Sequence, residues 1–290
     1  MPKFNIIGAG QVGSALGYLL SNHTPLALAG VLSRSISRAG QLCSWIGQGQ
    51  AVLDYSSLPS ANLYLVTVPD EQIRSCAEKL AATALLRPGD IVIHCSGMLS
   101  SEELSPVKDK GAHIASLHPI KSFIDPQLSI SSFPGTFCGL EGDLEACTAL
   151  QPWISAMGGK VFTIDPQQKL IYHSALVFAS NYLVALSEVA ISCLEQAKID
   201  RQLSYEILSP LMRLTAEQVF TKGTTVALSG PIARGDSQVV REELKELTAW
   251  NPAIGEAYRL LGQFALELAN QKDTANPEKM KEITQILQKD

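Results

Sequence analysis

From Lys3 to about residue 165, short runs rich in Val, Ile and Leu alternate with segments whose apolar residues recur at three- and four-residue spacing. The runs are too short for a helix and are bounded by Gly, Pro or Asp, so they read as strands buried on both faces. The amphipathic segments between them read as crossover helices. This alternation predicts an α/β domain, a Rossmann-like doubly wound parallel sheet. Strands are expected at Lys3–Ile7, Leu26–Leu32, Leu63–Val68, Asp90–Cys95, Ala112–Leu117, Thr136–Leu140 and Lys160–Ile164. Helices are expected at Gln11–Ser21, Ile36–Ile46, Asp70–Thr83 and Asp143–Met157.

After Ile164 the strand signal stops and helical periodicity takes over, punctuated by Gly and Pro. Two domains are therefore expected: 1–165, an α/β unit, and 166–290, all helical. Asp165 can cap the first helix of the second domain, Pro166 suits its first position, and Gln168 stands at the reciprocal capping position. That helix is expected to run to about Glu195, followed by helices at Ser204–Lys222, Ser237–Thr248, Pro252–Asn270 and Pro277–Gln288, the last capped by Asn276.

Composition narrows the function classes. The 290 residues carry 23 Lys+Arg against 28 Asp+Glu, a net charge of −5, with no basic run to follow a phosphate backbone. Nucleic acid is therefore not expected as a partner. The N-terminus passes directly into a strand without an apolar leader, which implies a cytoplasmic protein. The most apolar stretch, Ser174–Leu194, contains Asn181 and Glu188 and is broken by serines, so it reads as a buried helix rather than a membrane span. Six cysteines without C-x-x-C spacing read as free thiols, and no metal site is expected.

Gly8-Ala9-Gly10-Gln11-Val12-Gly13 directly follows the first strand and opens the first helix, the context in which a G-x-G-x-x-G turn binds a dinucleotide. Gly8 allows the tight turn, Gly10 lets the backbone approach a pyrophosphate, and Gly13 lets the helix pack against its strand. The free N–H groups of Gln11, Val12 and Gly13 sit at the positive end of the helix. The segment Leu32-Ser33-Arg34-Ser35-Ile36-Ser37-Arg38 occupies the place where a carboxylate would hold the ribose of NAD. It offers two guanidinium groups and hydroxyls instead, which suit a 2′-phosphate and favour NADP. Solvated surface arginines are the alternative.

Three further strands end in polar groups at the carboxyl edge, where ligands bind in open α/β sheets. They are Val66-Thr67-Val68-Pro69-Asp70, Ile93-His94-Cys95-Ser96-Gly97 and Leu117-His118-Pro119. Val68 and Pro69 are expected beside the cofactor, with Ser96 and His118 near the nicotinamide. His94 and His118 are equally readable as hydrogen-bonded structural histidines. Lys169, His173 and Ser180 share one face of the long helix, so a lysine and a histidine can supply a proton donor and a substrate anchor. Asn181, Glu188 and Glu195 trace a second stripe, read as a hydrated seam or an interhelical hydrogen-bond line rather than as catalytic. Ser229 to Asp236 reads either as a substrate-facing loop or as an interhelical turn with an Arg234–Asp236 pair.

Taken together, these residues resemble a bacterial family of predicted short-subunit dehydrogenases, in which a Rossmann-like domain precedes a helical domain of unknown function. The resemblance covers nearly the whole chain. It rests on Gly8 to Gly13, Val68-Pro69-Asp70, His94-Cys95-Ser96-Gly97, Leu117-His118-Pro119, Tyr172-His173-Ser174-Ala175 with Ser180-Asn181-Tyr182, and Gly230-Pro231-Ile232-Ala233-Arg234-Gly235-Asp236. More distantly the chain is similar to the superfamily of 6-phosphogluconate and 3-hydroxyisobutyrate dehydrogenases, ketopantoate reductase and pyrroline-5-carboxylate reductase. That likeness implies an active site between the domains and a homodimer built through the helical one. Lys169 matches the lysine that opens the long helix in the hydroxyacid branch; His173 stands where that branch has asparagine.

The expected function is an NADP-dependent oxidoreductase that moves a hydride between nicotinamide and a small carbonyl, imine or alcohol substrate. Lys169 is expected as proton donor, His173 as partner or alternate acid, and Ser33, Arg34, Ser35 and Arg38 as the cofactor-selecting group. The alternative is a dinucleotide-binding sensor without turnover.

Overall fold

A computed structural model describes residues 1–272 and 276–288. The chain divides into two compact units, the first ending at Phe178 and the second beginning at Ala179. The division lies beyond the expected boundary at residue 165 because Lys169 anchors the first turn of the next helix to the sheet.

The first unit is an eight-stranded sheet: β1 (Lys3–Ile7), β2 (Ala27–Leu32), β3 (Gln50–Val52), β4 (Leu63–Val66), β5 (Ile91–His94), β6 (His113–Pro119), β7 (Phe137–Gly142) and β8 (Lys160–Thr163). Their order is β3-β2-β1-β4-β5-β6-β7-β8. Reversal of direction about β1 and β4 makes this the doubly wound arrangement, with a switch point beside the Gly8 turn. Helices α1 (Gln11–His23), α2 (Ile36–Ile46), α3 (Ile73–Ala81), α4 (Pro126–Ser131) and α5 (Leu144–Ala156) connect the strands. Phe4, Ile6, Leu63, Leu65, Ile93 and Leu117 are buried under α1, α2 and α5; Ile7, Tyr64, Val66, Val92 and Ile114 face α3 on the other side. Burial on both faces is the reason these strands read as continuous apolar runs.

Two details depart from the sequence reading. The sheet is not wholly parallel, because β7 runs antiparallel to β6. The chain leaving β6 has no helix long enough to carry it back across the sheet. Ile120 N–H already bonds to the Phe137 carbonyl, so β7 starts at the edge where β6 ends. The second departure is β3, a three-residue edge strand too short to carry a periodic signal.

The helix expected to span Pro166 to Glu195 is interrupted. The Asp165 carboxylate accepts the Gln167 N–H at 2.9 Å, as its capping role requires. A 3₁₀ turn at Pro166–Gln168 then leads into α6 (Lys169–Ala179), and the helix breaks at Ser180 before α7 (Asn181–Gln196). Ser180 therefore does not extend the Lys169–His173 face.

The second unit contains α7, α8 (Arg201–Lys222), α9 (Thr224–Ala227), α10 (Pro231–Arg234), α11 (Ser237–Trp250), α12 (Pro252–Asn270) and α13 (Pro277–Leu287). Its core is Ile232, Val240, Leu266, Ala269, Met280, Ile283 and Leu287. Helix α8 starts earlier than the apolar spacing suggests, because Asp200 caps it through Gln202 N–H at 3.0 Å and Leu203 N–H at 3.1 Å. Arg201 bonds Glu188 at 2.6 Å and Glu195 at 3.2 Å, which makes the acidic stripe of α7 an interhelical line. Arg234 and Asp236 pair at 2.9 Å across the α10 turn.

The apolar stretch Ser174–Leu194 is not the buried helix the sequence suggests. The segment Pro166–Gln196 is long and apolar enough to cross a membrane by length and composition, and 6% of its most apolar window is buried. Leu183 and Val184 are 47% and 71% exposed, and on α8 Leu211 and Leu214 are 59% and 54% exposed. The hydrophobic cover that such a surface requires is not supplied by the described residues of this chain.

Candidate functional site

The glycine turn is built as its spacing demands. Gly8 adopts φ +111°, and a Cβ there would lie 2.7 Å from the Thr67 carbonyl oxygen. A Cβ on Gly13 would collide with the Gly8 carbonyl and the Thr67 hydroxyl. The turn is locked from the adjoining strands: Gly8 N–H donates to the Leu32 carbonyl at 2.9 Å, and the Thr67 hydroxyl donates to the Gly8 carbonyl at 2.7 Å. A Cβ on Gly10, by contrast, would meet nothing within 4 Å. Gly10 is the N-cap of α1, no side chain caps this helix, and its first turn carries no acidic residue. The first N–H groups of α1 are thus left for an anion.

A groove of about 590 Å³ opens from this turn across the carboxyl ends of β1, β2 and β4. Gly8, Gly10, Ser33, Arg34, Ser35, Arg38, Val68 and Pro69 all line it, as their sequence positions imply. Gln11, Val12 and Gly13 are in the first turn of α1 rather than among the lining residues. Ser35 also caps α2 beside the guanidinium groups, because its hydroxyl accepts the Arg38 N–H at 3.3 Å. Tyr55, Gln72, Cys76 and Lys79 also line the groove. Gln72, the N-cap of α3, and Cys76 and Lys79 within it recur at four and three residues, so a helix wheel of the expected Asp70–Thr83 segment drawn against the β4 edge would have found them. No carboxylate lines the groove among the described residues.

A second group of side chains gathers at the carboxyl ends of β5 and β6 and on α6. His94 is wholly buried and resolves as a structural histidine: Nδ1 accepts the Ser96 N–H at 3.1 Å, and Nε2 is 2.9 Å from the Ser100 carbonyl. Burial, reinforced by the charge of Lys169, depresses its pKa to about 4. The Ser96 hydroxyl donates to Asp70 at 2.7 Å and accepts the Met98 and Leu99 N–H groups at 3.2 and 3.0 Å, tying the β5 loop to the β4 loop.

Lys169 is 1% exposed. Its ammonium donates to the Ser96 carbonyl at 3.1 Å, to Glu141 Oε1 at 3.2 Å and to the Ser116 hydroxyl. Glu141 also accepts the N–H and hydroxyl of Ser101, both at 2.8 Å. An ammonium has three protons, and all three are committed to buried protein acceptors. Burial lowers the pKa of Lys169 while Glu141 opposes that shift. The lysine therefore acts beneath the site as a strut between α6, β5, β6 and β7.

His118, Tyr172 and His173 lie above it. His118 Nδ1 is 2.7 Å from the Tyr172 hydroxyl, and the two rings meet edge-on at 88°. The His118 and His173 rings are 6.3 Å apart. Both touch Gly97: a Cβ there would be 2.7 Å from His118 Nε2 and 2.8 Å from His173 Cδ2. Burial, then the charge of Lys169, then His173, lowers the His118 pKa to about 4, against a raising effect of Asp70. Burial, with a smaller effect of Cys138, raises that of Tyr172 to about 12. Sequence spacing brought out His118 and His173, and Asp70 and Tyr172 stand within the motifs of the resemblance without a role; those roles, and Glu141 and Ser116 altogether, depend on contacts between distant elements.

Comparison with known proteins agrees with this architecture. Residues 2–119 match a Rossmann-like domain, and residues 136–264 match a domain of unknown function, DUF2520. No curated protein matches the chain. Among solved structures, protein TM1727 from Thermotoga maritima is 28% identical, with 92% of this chain and 98% of that one covered at a TM-score of 0.73. A reductive aminase from Aspergillus terreus in complex with NADPH and ethyl levulinate is 15% identical, with 98% and 99% covered at 0.66. A 1-pyrroline-5-carboxylate reductase from Streptococcus pyogenes is 16% identical, with 91% and 98% covered at 0.59. The chain thus carries a Rossmann-like region followed by a region similar to DUF2520 that takes in β7, α5 and β8 as well as helices of the second unit, and its fold is shared with solved oxidoreductases.

Proposed function

We propose that this chain is an NADP-dependent oxidoreductase acting on a small carbonyl or imine, or on the corresponding alcohol or amine in reverse. One observation carries the reading: the groove leading from the Gly8–Gly10 turn is lined by Arg34, Arg38 and Lys79 and, among the described residues, by no carboxylate. A dinucleotide with a 2′-phosphate supplies the anion these cations suit, and its pyrophosphate suits the open approach at Gly10. When bound, the reduced nicotinamide supplies a hydride. The residues of this chain hold the phosphates, shape the nicotinamide side through the Ser96 loop and present His118, Tyr172 and His173 to the substrate. Lys169 is a positioning residue in this reading rather than the proton donor. The fold-level likeness to a reductive aminase and a pyrroline-5-carboxylate reductase supports the carbonyl or imine class by analogy.

Calorimetric titration with NADPH and NADH, on wild type and Arg34→Ala, tests the proposal. A guanidinium–phosphate contact contributes about 1.5–3 kcal/mol. Arg34 is exposed, so the lower end applies. Arg34→Ala is expected to weaken NADPH about tenfold and to leave NADH unchanged. Equal losses for both nucleotides, or no binding of either to wild type, overturn it.

A further inference from the structure

We propose that Tyr172 is the acid that protonates the reduced substrate, and that His118 holds the phenol in place for this step by donating from Nδ1. The inference rests on the oxidoreductase reading above and adds to it the identity of the proton donor.

The geometry commits two of the candidate groups to partners within the protein and holds a third, Tyr172, in place. Lys169 is excluded because each of its protons already has a buried acceptor. The Ser96 hydroxyl proton goes to Asp70 at 2.7 Å. Tyr172 is partly exposed and is held on two sides: its hydroxyl is 2.7 Å from His118 Nδ1, and its ring is 6.1 Å from that of Phe162. His118 is itself fixed at the end of β6 by packing against Gly97, where there is no room for a side chain.

The charges facing this pair decide its protonation. Lys169 and His173 work against an imidazolium at His118, and Asp70 favours it; burial and the lysine prevail, so His118 is neutral at pH 7. A neutral imidazole carries one N–H. If that hydrogen is on Nδ1, the imidazole donates to the phenolic oxygen, and the phenolic hydrogen is free to point at a ligand. The raised pKa of Tyr172 keeps the phenol protonated until a stronger base appears.

The step balances. A hydride bonds to the carbonyl or imine carbon, and the π pair of the C=O or C=N bond moves to the heteroatom. That atom bonds to the phenolic hydrogen as the Tyr172 O–H bond breaks. The phenolate is stabilised by the His118 N–H and regains its proton from solvent. The two electrons come from the reduced nicotinamide dinucleotide of the preceding proposal.

Long-range ¹⁵N–¹H spectra of the histidine rings test this without a substrate. In wild type, His118 is expected to be neutral down to pH 5 with its hydrogen on Nδ1, and Tyr172→Phe is expected to shift that tautomer towards Nε2–H. NADPH affinity of Tyr172→Phe is expected within twofold of wild type, which also reports that the variant is folded. A hydrogen on Nε2 in wild type overturns the proposal, because the phenolic proton is then committed to His118. An unchanged tautomer in a Tyr172→Phe variant that binds NADPH overturns it as well. Failure of wild type to bind NADPH removes the oxidoreductase reading, and the donor role with it, whatever the tautomer. In that case the spectra still establish whether the hydrogen bond exists.

Discussion

Lys169→Met isolates the contribution of the buried strut. The lysine and Glu141 side chains are each 2% exposed and stand 3.2 Å apart, so solvent screens the pair very little. Removing one partner of a buried ion pair costs about 3–5 kcal/mol, because the other charge is left behind. Glu141 keeps the two donors of Ser101, so its orphaning is partial and the loss belongs at the lower end. Methionine restores much of the packing volume. At about 2–4 °C per kcal/mol for a unit of this size, a loss of about 3 kcal/mol lowers the melting temperature by about 6–12 °C. The double variant Lys169→Met/Glu141→Gln leaves an uncharged acceptor for Ser101 and is expected to recover at least half of that loss. Near-UV circular dichroism melts of wild type, single and double variants give the comparison. If the single variant melts with wild type, or the double melts no higher than the single, the buried charge is not what holds α6 to the sheet.

The pH dependence follows from His94. Its folded pKa of about 4 lies below its unfolded value of 6.5, so the unfolded chain binds the extra proton between those limits. The contribution of His94 to stability is therefore complete above pH 6.5 and is lost as the pH is lowered towards 4, on the order of 3 kcal/mol. Urea titrations of wild type and His94→Asn at pH 7 and pH 5 are expected to show the gap between the two narrowing in acid; a constant gap refutes the assignment. The exposed α7 and α8 surface leads to a proposal about assembly: a second copy of this chain covers it. Sedimentation at micromolar concentration without detergent is expected to give twice 31.2 kDa, and Val184→Arg is expected to halve that mass. A wild-type monomer under those conditions refutes it.

The parts legible in the sequence were those set by local rules. Each strand buried on both faces announced itself as an apolar run. The Gly8–Gly13 turn was readable because each glycine answers a local steric demand, and Arg34 and Arg38 because a carboxylate is missing from a fixed distance beyond it. The direction of β7 was not legible, since it depends on a connection that stays at one edge of the sheet. The role of Lys169 was hidden for a related reason. Its place four residues before His173 puts both on one helix face, and that much holds in the structure. Yet a face of α6 has depth. Glu141, Ser116 and Ser96 belong to three other strands or their ends, and together they draw the lysine into the interior while Tyr172, three residues on, reaches His118. Helical periodicity assigns a direction to a side chain but not a distance from the sheet, and here that distance separates a buried strut from a group able to meet a substrate.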